Sequence, residues 1–95
     1  MKTPPPGETA ALPVFEYPLD YTFKIVGAAG GDFPEHARRL VAAHTGASVP
    51  AVAGVRDSAG GKYQSVGVAV RLESEEQRRA VYQALHDDPR VLYSL

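Results

Sequence analysis

A chain of 95 residues and net charge -1 suits one domain with one modest core, because at this size roughly 60 to 65% of the unfolded surface is buried, and a large internal active-site cavity is not expected. The absence of cysteine excludes disulfides, thiolate zinc sites and cysteine nucleophiles together. Ten basic residues are offset by eleven acidic ones and scattered along the chain, so there is no basic stripe of the kind that nucleic-acid binders use to release counterions.

No apolar run approaches the ~20 residues needed to span a bilayer, and the opening MKTPPPGET lacks the apolar centre of a signal peptide. A soluble cytoplasmic protein is the expectation. Residues 1–13, with Pro4, Pro5, Pro6, Gly7 and Pro13, hold too little apolar surface to offset ordering entropy and read as a flexible tail. A Pro-rich ligand for an aromatic groove is the functional alternative for that stretch. The domain proper is expected over 14–95.

Val14, Phe15 and Tyr17 are expected to lie down on the domain before Pro18 and Asp20 redirect the chain. A first strand follows over Tyr21–Gly27, with Tyr21, Phe23 and Ile25 on the core face and Thr22, Lys24 and Val26 opposite. Gly27, Gly30 and Gly31 form a loop into a helix. There Asp32 and Glu35 fit a capping box and Pro34 sits in the first turn, where its missing N–H costs nothing. Phe33, Ala37, Leu40, Val41 and His44 recur at helical spacing, and Gly46 stands where a C-terminal cap belongs.

After Pro50, Ala51–Asp57 is a weaker strand suited to a sheet edge, with Val52 and Val55 on opposite faces. Ser58, Ala59, Gly60 and Gly61 make a hairpin turn into the strongest strand signal in the chain. In GGKYQSVGVAVRL, Val66, Val68, Val70 and Leu72 alternate with Ser65, Gly67, Ala69 and Arg71, the period-two pattern of a half-buried strand. Ser74 with Gln77 opens a second helix, Glu75 and Glu76 suit its positive end, and Val81, Ala84 and Leu85 form its buried stripe flanked by Tyr82. His86 closes the last turn, Pro89 stops the helix, and Val91–Leu95 is a short terminal strand with Val91, Tyr93 and Leu95 sharing a face.

Strand, helix, strand, strand, helix, strand, joined by right-handed crossovers, predicts an α+β two-layer sandwich of ferredoxin-like type. Its sheet is antiparallel, four-stranded, ordered 4-1-3-2, with both helices on one face. Three stretches, FEYPLDYTFKIVG at Phe15–Gly27, RDSAGGKYQSVGV at Arg56–Val68 and the helix carrying Tyr82 and Leu85, resemble the YbeD-like family of small bacterial proteins of unknown function. The resemblance covers almost everything after the tail and implies a ferredoxin-like fold similar to the ACT regulatory domains, which often bind amino acids at subunit interfaces. The Pro-rich N-terminus and the GAAGGD loop depart from it.

The loop Gly27–Asp32 follows a strand and opens a helix, so its N–H groups suit a carboxylate, although it matches neither G-x-G-x-x-G nor a P-loop. A ligand site is therefore expected from Gly30, Gly31 and Asp32 with Arg56, Ser58, Lys62 and Tyr63 of the hairpin. Arg56 and Lys62 would meet a carboxylate, Tyr63 would wall the pocket and Asp32 would take an amine. Ser65, Gly67 and Ala69 on the open sheet face would admit a second backbone, either a homodimer partner or another protein.

Base stacking needs several aromatics on that face, and only Tyr63 qualifies, so no nucleic-acid partner is expected. Three histidines without i, i+4 spacing argue against a metal, and no cofactor is implied. Ser65 lacks the glycines of a nucleophile elbow. The acidic run at Glu73, Glu75 and Glu76, followed by Arg78 and Arg79, reads as a solvated helix face. The functional expectation is a non-catalytic regulatory module sensing a small polar ligand such as an amino acid, with an interaction adaptor as the alternative.

Overall fold

The computed structural model describes residues 15–95, so the expected tail over 1–13 and the apolar Val14 lie outside the described residues. Its elements are β1 (Leu19–Ala28), α1 (Phe33–Ala42), β2 (Ala51–Asp57), β3 (Tyr63–Leu72), α2 (Glu75–Asp87) and β4 (Val91–Ser94). The sheet order is β2-β3-β1-β4 with every pairing antiparallel, which is the predicted ferredoxin-like arrangement.

β3 lies second from the edge, beside β1, and the two strands pair without interruption from Leu19 with Leu72 to Ala28 with Tyr63. Their inward residues, Phe23, Ile25, Val66, Val68, Val70 and Leu72, are buried with Phe33, Ala37 and Val41 of α1 and Val81 and Leu85 of α2. At the open end of that core, Phe23 meets Tyr21 and Tyr82 edge-on, and the two tyrosine hydroxyls hydrogen-bond at 2.8 Å. Ser74 caps α2 as expected, its hydroxyl accepting from the Gln77 N–H at 3.2 Å.

Four local expectations are corrected. Asp32 precedes α1 but its side chain makes no capping bond, because the carboxylate is drawn to Arg90 instead. α1 ends at Ala42, so His44 falls in the following turn and is exposed, while Gly46, at φ 58°, turns the chain beyond it. Val52 and Val55 do not oppose one another: they pair with Val68 and Val66, on the helix side, because a bulge between Val52 and Gly54 inserts one residue and restores the face.

The fourth correction concerns β4, where the register slips between Val26 and Gly27. Val91 pairs with Gly27 and packs on the core, but Tyr93 pairs with Val26 and Leu95 exchanges backbone bonds with Lys24, so both face away from the helices. Cross-strand partners share a face, and one extra residue reverses which face that is.

The segment before β1 lies on the domain, as its apolar content implied. Phe15 meets Tyr21 edge-on at 5.8 Å and the Arg78 guanidinium at 4.9 Å, and Tyr17 donates to Glu75 at 2.5 Å. Glu75 also accepts from Arg78 and Arg79. Hydrogen bonds from Arg78, then Tyr17 and Arg79, hold its carboxyl well below the ordinary value of 4.5. A carboxyl whose pKa is lower in the folded state stabilises above its unfolded pKa, and that stabilisation fades as pH falls below it towards the folded value. The gap in melting temperature between the wild type and Glu75→Gln should therefore be constant from pH 7 to about 5 and shrink below about 4.5. A gap that persists undiminished at pH 2 would contradict this.

Candidate functional site

The ferredoxin-like layout leaves one side of the sheet uncovered, and the register maps that side residue by residue. One row across it reads Arg56, Ser65, Val26, Tyr93, and the next reads Gly54, Gly67, Lys24, Leu95. Ser58 and Tyr63, joined by backbone and side-chain hydrogen bonds at the hairpin, stand above the first row. All of these except Gly54 and Gly67 surround a shallow depression of about 490 Å³ that Leu92, Asp57 and Gln64 also line.

Its floor is low because Ser65 and Val26 are small or flat. Its walls are large apolar groups in contact with solvent, Tyr63 at 46%, Leu92 at 56%, Tyr93 at 57% and Leu95 at 66% exposure. Lys24 and Arg56 stand on opposite sides of the β3 backbone. Among the described residues neither enters an ion pair. Asp57 accepts from Gln64 at 3.0 Å, and lower on the face Asp20 is taken by Arg71 at 3.1 Å.

Three of the seven expected ligand residues, Arg56, Ser58 and Tyr63, thus meet in one place. Gly30, Gly31, Asp32 and Lys62 do not line it. The glycine loop is tied to the hairpin through the Ala29 N–H and the Lys62 carbonyl at 2.8 Å. The Asp32 carboxylate, however, is clamped by both terminal nitrogens of Arg90, at 2.8 and 3.2 Å. The Arg90 guanidinium beside Asp32 lowers that carboxyl and is itself raised in return. An acid so matched has little charge left for a ligand amine.

Arg90 also lies over the Phe33 ring at 5.7 Å, and its backbone N–H donates to Asp88 at 2.8 Å. Asp88 in turn bonds His36 at 2.9 Å, so His36 is a half-buried brace between α1 and the end of α2. Burial raises the Asp88 carboxyl, but the bonds from His36 and the Arg90 N–H outweigh it and leave it lowered. His86 is exposed.

Ser65, Gly67 and Ala69, expected as an interface, are half-buried along the centre of the open face. Lys24 and Val26 were readable as its residues from their place opposite Phe23 and Ile25. Tyr93 and Leu95 carried no such signal, since their orientation depends on the β4 bulge. Arg90 carried none either, its partner lying 58 residues away.

The family model described as "Protein of unknown function (DUF493)" matches residues 13–95. The chain belongs to this family. Among its relatives, UPF0250 proteins of Bordetella parapertussis and Ralstonia nicotianae are 34% and 37% identical to it over 87 and 92 residues. Each alignment takes in 92% of this chain, with 91% and 86% of the respective relative. A UPF0250 protein of Hahella chejuensis is 36% identical over 70 residues, 74% of this chain and 77% of its own length.

These matches bear out the YbeD-like resemblance. Among solved structures, the solution structure of protein HP0495 from H. pylori superposes with a TM-score of 0.70 over 99% of this chain and 98% of that one, at 15% identity. The DUF493 chain therefore shares its fold with that protein. Among its described residues no helix is long and apolar enough to cross a membrane.

Proposed function

We propose that this DUF493 protein is a non-catalytic interaction module that holds a partner protein on the open face of its sheet. The observation that supports this is the gathering of Tyr63, Leu92, Tyr93 and Leu95, all solvent-exposed, around a small-residue floor with Arg56 at its rim. Tyrosine and arginine are among the residues most enriched in the energetic centres of protein interfaces, and the depression is too open to enclose most of a small molecule.

Gly67→Arg tests the reading without disturbing the fold, since an added Cβ would meet Thr22 Cγ2 at 3.5 Å, an ordinary contact. Tagged wild type should capture partners from a lysate of its own cells that Gly67→Arg and Tyr93→Ala lose and that Gln83→Ala, on α2, retains. Equal capture by all four proteins would sink the reading.

One observation favours a second reading, a small carboxylate ligand in the same depression: Arg56, Ser58 and Tyr63 converge there as an amino-acid site would need. Millimolar amino acids should then raise the melting temperature of wild type but not of Arg56→Ala. No shift with any of the twenty would dispose of it.

A further inference from the structure

We propose that the occupant of the open face is an extended acidic peptide segment in which two carboxylates, four residues apart, flank an apolar side chain. This rests on the reading of the face as a partner-protein site and names what that site selects.

The argument begins with charge. Lys24 and Arg56 are the cations of the upper face, and among the described residues no carboxylate pairs with either. Asp57, at the rim, is occupied by Gln64. Elsewhere arginines are matched to acids: Arg38 and Arg39 with Glu35, Arg78 and Arg79 with Glu75, Arg71 with Asp20, Arg90 with Asp32. Two cations left unmatched beside an exposed apolar patch present a surface complementary to an acid-bearing, partly apolar ligand.

Spacing then selects the ligand's form. Lys24 and Arg56 lie on strands separated by β3 and one row apart in the register. With strands ~4.8 Å apart and ~6.8 Å between rows, their Cα atoms are about 12 Å apart on a diagonal. In an extended chain, same-face side chains at i and i+4 are about 13 Å apart, and the one at i+2 points the same way. Laid along that diagonal, such a segment sets its two acids over Lys24 and Arg56. Its middle residue then falls over β3 between Ser65 and Gly67, with Val26 beside Ser65 in the upper row. A helix presents i and i+4 only ~6 Å apart and would reach one cation at a time.

Fluorescence anisotropy with labelled ten-residue peptides tests this. The probe carries two aspartates four residues apart with leucine midway; its controls carry lysines for the aspartates, or place the aspartates two apart. Wild type should bind the probe at least tenfold more tightly than either control, and more weakly as salt rises. Lys24→Glu/Arg56→Glu, both at exposed positions, should lose the probe and gain the lysine peptide, with the circular dichroism spectrum unchanged.

No binding at millimolar protein, or equal binding of probe and lysine peptide, would overturn the proposal. Tighter binding of a labelled uridine decamer would overturn it in favour of nucleic acid. Concentration-dependent dimerisation abolished by the double substitution would overturn it in favour of a second copy. If lysate capture still depends on Gly67 while the peptides show no preference, the interaction reading stands and this inference alone falls. If capture ignores Gly67, the reading itself falls.

Discussion

Gly27→Ala is expected to destabilise the protein by about 3 kcal/mol or more, among the largest effects of adding a single methyl group anywhere in the chain. A Cβ built there would stand 2.3 Å from Phe33 Cζ, 2.5 Å from Phe33 Cε1 and 2.5 Å from the Arg90 carbonyl oxygen. The phenyl ring is fully buried and the carbonyl belongs to the backbone leading into β4, so neither is the loose end of a flexible side chain. Relief would require moving α1 away from the sheet or β4 away from β1. Gly54→Ala is the control, because nothing lies within 4 Å of its added Cβ. Urea denaturation of both variants decides the matter. Equal midpoints would show that the packing of Phe33 over β1 is wrong.

Phe23→Ala should cost about 3 to 5 kcal/mol, enough to unfold much of the population of a small domain near 37 °C. Phe23 is fully buried opposite Val68, with the rings of Tyr21 and Tyr82 at 4.8 and 4.9 Å. Truncation leaves a cavity that those tyrosines cannot collapse into without giving up their shared hydroxyl bond at 2.8 Å. At roughly 4 to 8 °C per kcal/mol for a chain of this size, the melting temperature should fall by more than about 12 °C. Phe23→Leu should lose distinctly less. A fall of only a few degrees with alanine would show that the ring is not central to the core.

Both effects bear on function through the same sheet. β1 carries Phe23 and Gly27 on its helix side and Lys24 and Val26 on its open side. Variants that loosen its inner face are thus expected to blur the outer one. Open-face substitutions such as Gly67→Arg are the cleaner probes of partner binding, since they leave the inner face intact.

The architecture is legible in the chain itself. Strict alternation at Val66, Val68, Val70 and Leu72 against Ser65, Gly67 and Ala69, helical spacing at Phe33, Ala37 and Val41, and turn chemistry at Gly60 and Gly61 each state a local preference. Together with the handedness of crossovers they leave few ways to close a sheet. The ends of the elements and the side chains beyond them were less legible. Asp32 looked like a helix cap because a cap is a local device; its actual partner, Arg90, is brought to it by β4 and has no local trace.

The candidate site divides the same way. Lys24 and Ser65 belong to the open face by parity alone, whereas Arg56 is set there by the pairing of β2 with β3 at Ser65. Tyr93 and Leu95 belong to it because β4 slips by one residue against Val26 and Gly27, and Val52 and Val55 share a face because β2 bulges beside Val68. A bulge is settled between two strands, by which hydrogen bonds and side-chain contacts close best when both are present, so neither strand's residues announce it alone. Period and turn chemistry were written along the chain, whereas partners distant in number, and the face that an edge strand finally shows, came from strands and helices meeting.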